Sequence, residues 1–335
     1  MSLQDHATAG SNAIALSQSI LNVHSREAIE QQIRRIVRAV RFELLERDGA
    51  VRILGPDMSY HSADPHLFEG SQTLRPGMTS DDVFHFRSRR ANFDLCLEDS
   101  WSGYFIAEHA SVDQDLVLIH LDHHTDMMPT LLERSGQGLV NPVTGEGFDP
   151  AASADWQSTI QSGCVSIGNF VTPLYYLGGS THVRHLNNFA TSTHRLYNVT
   201  RESCRYELIP DRMFAGIRKK TADWGNSAGT YLGGIDAVKV LRELPAGRVV
   251  VHIDLDYFIN DFNGNPWDSG LPAKAILRSQ ALRKMDCFFT ALQGTGATVE
   301  QWIVATSPGF CSAEHWDWLL TEIGRRVEQT RSPPL

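Results

Sequence analysis

Apolar positions along this chain fall into several patterns, and each predicts a different element. Residues 25–49, SREAIEQQIRRIVRAVRFELLERDG, place Ile29, Ile33, Ile36, Val37, Val40 and Leu44 on one stripe at helical spacing. Ser25 suits an N-cap and Gly49 a stop, so one helix is predicted across the stretch, with the five arginines from Arg34 to Arg47 on a solvated face. Residues 115–122 (DLVLIHLD) and 247–258 (GRVVVHIDLDYF) are continuous apolar runs, the mark of strands buried on both faces of a parallel sheet. Residues 103–110 (GYFIAEHA) read as a further strand ending in Glu108 and His109. Residues 133–155, rich in Gly, Pro, Asn and Asp, read as a long loop. VRHLNN, HRLYNV and RYELIP are short strand-like pieces. A helix at 273–296, a strand in VEQWIVATSPG and a closing helix in SAEHWDWLLTEIGRRVEQ complete the chain. The alternation of strand and helix predicts an α/β protein with a mostly parallel central sheet. No repeat or linker interrupts it, so 26–335 reads as one domain behind a loosely ordered N-terminus at 1–25.

Composition narrows the class. The 335 residues allow a sizeable core, and 42% apolar with 21% charged content is that of a globular protein. A net charge of -9 disfavours a nucleic-acid partner and suits a cationic one. The five cysteines are scattered without a CxxC pair, which argues against a disulfide framework or a zinc knuckle and for a reducing, cytoplasmic setting. No run approaches the ~20 apolar residues of a membrane span, and the first ten residues lack a basic leader, so no membrane partner is expected. Oligomeric state is not legible, and self-association stays open.

The candidate chemistry sits where the two buried strands end. LVLIHLDHHTDMM (116–128) packs two aspartates and three histidines between His120 and Asp126. Asp122, His124 and Asp126 are spaced D-x-H-x-D, and Asp254 and Asp256 are spaced D-x-D. Alternate residues of an extended segment share a face, and ligands of α/β sheets collect at the carboxyl ends of strands. Four carboxylates and an imidazole brought together there would repel unless cations sat among them. With no thiolate set, oxygen-rich ligation with some imidazole suits manganese, with iron, cobalt or catalytic zinc as competitors. Two ions fit this many carboxylates better than one.

DHHTD and DLD resemble the paired motifs of the arginase/deacetylase-like ureohydrolases. The surrounding YFIAEH, VSIGNFVTPLYYLG, VHIDLDYF and IVATSPGFC are similar, in the same order, to the branch that includes the peptide arginases of ribosomal-peptide biosynthesis. The likeness covers roughly residues 100 to 330 and leaves the first hundred unaccounted for. It implies a three-layer α/β/α fold and two Mn2+ per chain. Asp122 and Asp254 would bridge both ions, His109 and Asp126 would complete one site, and His124 and Asp256 the other. It further implies hydrolysis of arginine to ornithine and urea, with an arginine-containing precursor peptide as partner. Glu108 and Glu314 are the candidate carboxylates for gripping the guanidinium, and Asn169 lies in a family-like stretch.

Two features depart from the small-molecule arginases. The histidine that shuttles protons there has no counterpart soon after the first motif; His182 and His185 are substitutes by residue type only. The glutamate near their last strand is replaced by ATSPG. Both gaps fit an arginine held within a peptide. His120 and His252 read as histidines satisfied inside the sheet or standing behind the ligands, and Asp261 or Asp268 as possible walls of the site. Rival readings are a same-fold hydrolase of a small guanidino compound or acetylated amine, and a metal-stabilised binding protein without turnover.

Overall fold

The computed structural model describes residues 13–36, 39–45, 47–111, 113–136, 138–189, 194–221, 225–262 and 278–331. In chain order the strands are β1 (Ala13–Ala15), β2 (Val40–Leu45), β3 (Ala50–Pro56), β4 (Arg87–Arg89), β5 (Asp94–Cys96), β6 (Leu116–Leu121), β7 (Glu133–Ser135), β8 (Gly138–Val140), β9 (Gly147–Phe148), β10 (Thr181–Leu186), β11 (Leu196–Tyr206), β12 (Ile209–Lys220), β13 (Gly229–Gly234), β14 (Arg248–Asp254) and β15 (Gln301–Ala305). The helices are α1 (Gln18–Leu21), α2 (Arg26–Ile36), α3 (Leu67–Leu74), α4 (Ser80–His85), α5 (Trp101–Ala107), α6 (Ser153–Gln161), α7 (Val171–Leu174), α8 (Ala237–Val240), α9 (Arg278–Thr295) and α10 (Trp316–Arg331). None of the described helices is long and apolar enough to cross a membrane.

Twelve strands form one sheet in the order β4-β5-β15-β14-β6-β10-β13-β11-β12-β7-β8-β9. The run from β5 to β13 is parallel throughout, while every other pairing is antiparallel. The sheet is therefore mixed, and the expected parallel pattern holds for this central block alone. Apolar side chains of β6 alternate between two cores. Leu116 and Leu118 join Trp101, Phe105 and Trp156 on one face. Val117, Ile119 and Leu121 join Phe288, Trp302 and Trp316 on the other. Burial of each contributes about 1.5–3 kcal/mol, which anchors the strand that carries the acidic cluster.

β1, β3 and β2 form a separate three-stranded antiparallel sheet in that order. Its Ile14, Val40, Leu44, Val51 and Ile53 pack into the first of those cores, so the N-terminal sheet shares a core with the central one. Residues 13–25 thus include an ordered strand and α1, contrary to the loose N-terminus expected; residues 1–12 lie outside the described residues.

The single helix predicted over 25–49 ends early. The Ser25 hydroxyl accepts from the Ala28 N–H at 3.3 Å, and Ile29 and Ile33 are buried as the stripe requires. The helix stops at Ile36, Ala39 takes a left-handed conformation (φ 52°), and the chain continues as β2. Val40 and Leu44 are four apart, a spacing that shares a face in a strand as well as in a helix, so the stripe could not separate the two. Gly49 (φ 58°) lies in the β2–β3 connection, not behind a helix.

GYFIAEHA is also not a strand. α5 is buried along nearly its whole length, so no polar face revealed its period. Gly103 lets α5 close on α6: a Cβ there would meet the Trp156 ring at 2.0 Å. The long loop of 133–155 carries β7, β8 and β9 and the start of α6.

Candidate metal centre

Within the parallel block the chain leaves β6 toward β10 on one side and returns at β14 on the other. The switch of direction falls between β6 and β14, and a crevice opens at such a point beyond the carboxyl ends. Asp122 follows β6 and Asp254 ends β14. His120, Asp122, Asp126, Asp254 and Asp256 are all buried, and Asp99, just beyond β5, joins them.

One ligand atom from each of Asp122, His124 and Asp256 lies within 4.8 Å of the others. The same holds for Asp99, Asp122 and Asp126, and for His120, Asp122 and His252. Asp122 belongs to all three trios. Its Oδ1 accepts the His124 N–H at 2.5 Å, and its Oδ2 lies 3.6 Å from His120 Nε2. His124 Nδ1 is 3.1 Å from Asp256 Oδ2, and the His123 N–H donates to Asp256 Oδ1 at 3.0 Å. Asp254 lines the cavity over this cluster, and its Oδ1 accepts the Asp256 N–H at 3.3 Å, but it stands outside the trios.

The electrostatics suit a bound cation. Burial, together with Asp126, Asp256 and Asp254, pushes Asp122 well above the ordinary carboxylate range. Burial with Asp256, Asp99 and Asp126 does the same to Asp254, and burial with Asp126, Glu98 and Asp256 to Asp99. Asp126 goes the other way: burial favours its neutral form, but the His120 ring, a hydrogen bond with Asp122 and the His124 ring together hold it low. Buried polar atoms are normally paired. Here Asp99 Oδ1, Asp122 Oδ2 and His252 Nε2 are buried without a hydrogen-bond partner, while Asp126 Oδ2 and Asp256 Oδ2 face only the His120 and His124 rings, at 3.3 Å and 3.1 Å. Oxygen-rich donors with imidazole and no thiolate fit a hard or borderline divalent ion. The residues present thus suit a metal site.

Under the carboxylates lies a histidine ladder. His120 sits in register with His252 on β14 and His185 on β10, all three fully buried. Its ring centroid is 5.0 Å from each. His120 Nδ1 and His252 Nδ1 are 2.9 Å apart, so one donates to the other. When His252 is the donor, His120 Nε2 keeps its hydrogen toward Asp126 Oδ2, 3.3 Å away; when His120 is the donor, its Nε2 offers a lone pair to a cation beside Asp122 and Asp126. His185 Nε2–H donates to the Asp122 carbonyl at 3.1 Å, which leaves its Nδ1 to accept from the Tyr231 hydroxyl at 2.8 Å. Burial, then the neighbouring His120, lowers both His185 and His252 well below the usual imidazole range, so both stay neutral.

Above the cluster is a cavity of about 440 Å³. Its floor carries Glu98, Asp99, Asp126 and Asp254, and Tyr60, Phe189 and Phe310 form an aromatic collar. The Tyr60 hydroxyl donates to Glu98 Oε2 at 2.5 Å, and His61 pairs with the other Glu98 oxygen. One wall comes from the N-terminal hundred residues: Arg34, Ala39, Val40, Asp57, Ser59 and Tyr60. Ala39, Asp126 and Ser307 all line this cavity and all hold left-handed backbone (φ 52°, 48° and 57°). Such conformations cost non-glycine residues free energy and gather at functional sites.

The structure brings together Asp122, His124, Asp126, Asp254 and Asp256, as the spacing predicts. It does not bring His109. The carbonyls of Phe105 and Ile106, at the end of α5, receive Gln301 and Arg248, the first residues of β15 and β14. His109 is therefore exposed near the amino ends of the strands, opposite the cluster. Glu108 is there too, bound to Arg89 at 2.8 Å. Glu314 is exposed beside His315, over a separate depression between α3 and α10. The Asn169 amide is taken up locally, accepting from the Ser166 N–H at 2.9 Å and donating to the Pro129 carbonyl at 3.4 Å. His182 bonds Thr230 from the start of β10. Asp261 is engaged by Ser312 and His315, and Asp268 lies outside the described residues.

Asp99 and Glu98 were missed because β5 is only three residues long. The signal was present: CLEDS repeats, in miniature, an apolar run ending in acid. No family model matches the chain, and no curated protein is similar to it. The likeness to the ureohydrolases rests on the motifs themselves.

Proposed function

We propose that this protein is a binuclear manganese hydrolase that converts arginine residues of a peptide to ornithine and urea. The observation that carries the reading is the sharing of Asp122 between two distinct ligand trios, each with buried unpaired oxygens. His124, Asp122 and Asp256 would hold one ion. Asp99, Asp122 and Asp126 would hold the other, with His120 in the place His109 does not reach. When bound, the ions supply Lewis acidity and a water of lowered pKa. A parallel block with apolar cores on both faces is what the α/β/α architecture of the resembled superfamily would require.

The chain's own residues supply the rest. Asp254 and Glu98 line the cavity as acceptors for a guanidinium, whose planar fork favours carboxylates. The collar of Tyr60, Phe189 and Phe310 suits its cationic face. Val40, Met128, Ile167 and Pro308 offer apolar wall to an aliphatic stem. The hydroxyl and imidazole bound to Glu98 keep that carboxylate oriented. The cavity's volume exceeds what one side chain fills, leaving space for flanking backbone.

Elemental analysis of protein loaded with manganese should give about two ions per chain. Incubation with arginine-containing peptides should release urea and leave ornithine. Absence of both on every peptide tried would end this reading. Turnover of agmatine or an acetylated amine instead would move it to the small-molecule alternative.

A further inference from the structure

The cavity has two chemically opposite ends. Its floor is carboxylate and deeply buried: Asp99 is 6%, Asp126 3% and Asp254 4% exposed. Among its described lining residues there is one obligate cation, Arg34, and Arg34 is exposed. Its backbone is fixed, because the adjacent Ile33 and Ile29 one turn earlier are buried in the core. Its guanidinium rests over the Phe42 ring, 5.1 Å from the centroid, and has no carboxylate partner among the described residues. The other described lining residues of fixed charge are acidic, namely Asp57, Glu98, Asp99, Asp126 and Asp254, so among them Arg34 alone attracts an anionic group.

We infer that Arg34 is a specificity anchor for a carboxylate borne by the substrate close to the reacting arginine. This deepens the proposed function and rests on it for the identity of the guanidinium end. The complement of the cavity is a molecule with a cationic tip for the floor, an apolar stem for the waist and an anion for Arg34. Arginine side chains bind carboxylates through two parallel N–H···O bonds, and stacking on Phe42 holds the fork without using its donors. Arg34 is supplied by α2, which contributes none of the carboxylates of the floor. The carboxylate can be the C-terminus of a peptide that ends in arginine, or an acidic side chain next to an internal arginine.

Two pairs of synthetic peptides separate these sources: one ending in arginine as free acid or as amide, the other with internal Arg-Glu or Arg-Gln. Equilibrium dialysis against the metal-loaded full chain, with mass spectrometry of both compartments, reads binding and conversion together. In at least one pair the carboxylate member should bind about tenfold more tightly. The pair that responds identifies the source. Arg34→Gln should bring that ratio to about one, Arg34→Lys should leave part of it, and Arg34→Glu should invert it. Equal binding within both pairs, a preference that survives Arg34→Gln, or no binding of any peptide would overturn the anchor. A preference without any ornithine product would keep the anchor and sink the hydrolase reading; product without a preference would do the reverse.

Discussion

The two ends of the parallel block both bury polar groups and treat them in opposite ways. At the amino edge Arg248, 4% exposed, donates to the Ile106 carbonyl at 3.1 Å and to Gln301. Gln301 donates in turn to Asp94 at 2.8 Å and to the Phe105 carbonyl at 3.0 Å. That network has one cation, one carboxylate and amides to match, so it closes on itself and ties α5 to the sheet. At the carboxyl edge, five aspartates gather with no lysine or arginine among the described residues of the cluster, and oxygens of Asp99 and Asp122 have no hydrogen-bond partner. Burial alone therefore does not mark the site; several carboxylates crowded together without a cation do. A satisfied buried network stabilises, while an unsatisfied one persists only where something else completes it.

The comparison can be broken by experiment. Asp122→Asn should remove the ligand common to every trio and abolish stoichiometric metal retention, read by elemental analysis. The same variant should melt higher than the parent when both are metal-free, because a carboxylate disfavoured by burial and three neighbouring acids is gone. Arg248→Ala should act oppositely. It should cost about 3 kcal/mol in denaturant unfolding, since a buried network loses its cation, and leave metal stoichiometry intact. A stable Arg248→Ala that sheds metal would refute the division of labour.

Finer variants sharpen the contrast. His120→Ala should weaken metal binding by about tenfold or more, measured by competition with a chelator. His109→Ala should leave it unchanged and shift stability by no more than about 0.5 kcal/mol. The smallest effect is one of pH. Asp99, Asp122 and Asp254 have raised values in the fold, so the folded chain takes up protons before the unfolded chain does. Metal-free protein should gain stability as pH falls from neutral toward the ordinary carboxylate value of about 4. Metal-loaded protein should lose it over the same range, because protons compete with the ions. Melting curves at two pH values, with and without manganese, check both signs.

Much of the acidic edge was legible because its signals are local. Asp122, His124 and Asp126 follow an apolar run directly, and alternate residues share a face without help from the rest of the chain. Asp254 and Asp256 follow theirs in the same way. His109 shows where such reasoning stops. It precedes β6 in sequence, yet α5 spends the intervening residues returning to the opposite end of the sheet, and GYFIAEHA carries no periodicity that announces this. His120 reads as a histidine satisfied inside the sheet, as it is at Nδ1 by His252 on the neighbouring strand; only the placement of Asp126 reveals that its Nε2 faces the carboxylates. The N-terminal wall was the least readable, since β2 imitates a continuation of α2 and its place over the cavity depends on contacts far along the chain.

The left-handed backbone at Ala39, Asp126 and Ser307 bears on how this protein would respond to engineering. Glycine adopts that conformation at little cost, so Ala39→Gly and Ser307→Gly are obvious routes to heat resistance, each relieving strain of about 1 kcal/mol. Both residues line the cavity. A screen that rewards survival on heating alone would thus collect its winners in the pocket lining and loosen the wall that shapes it.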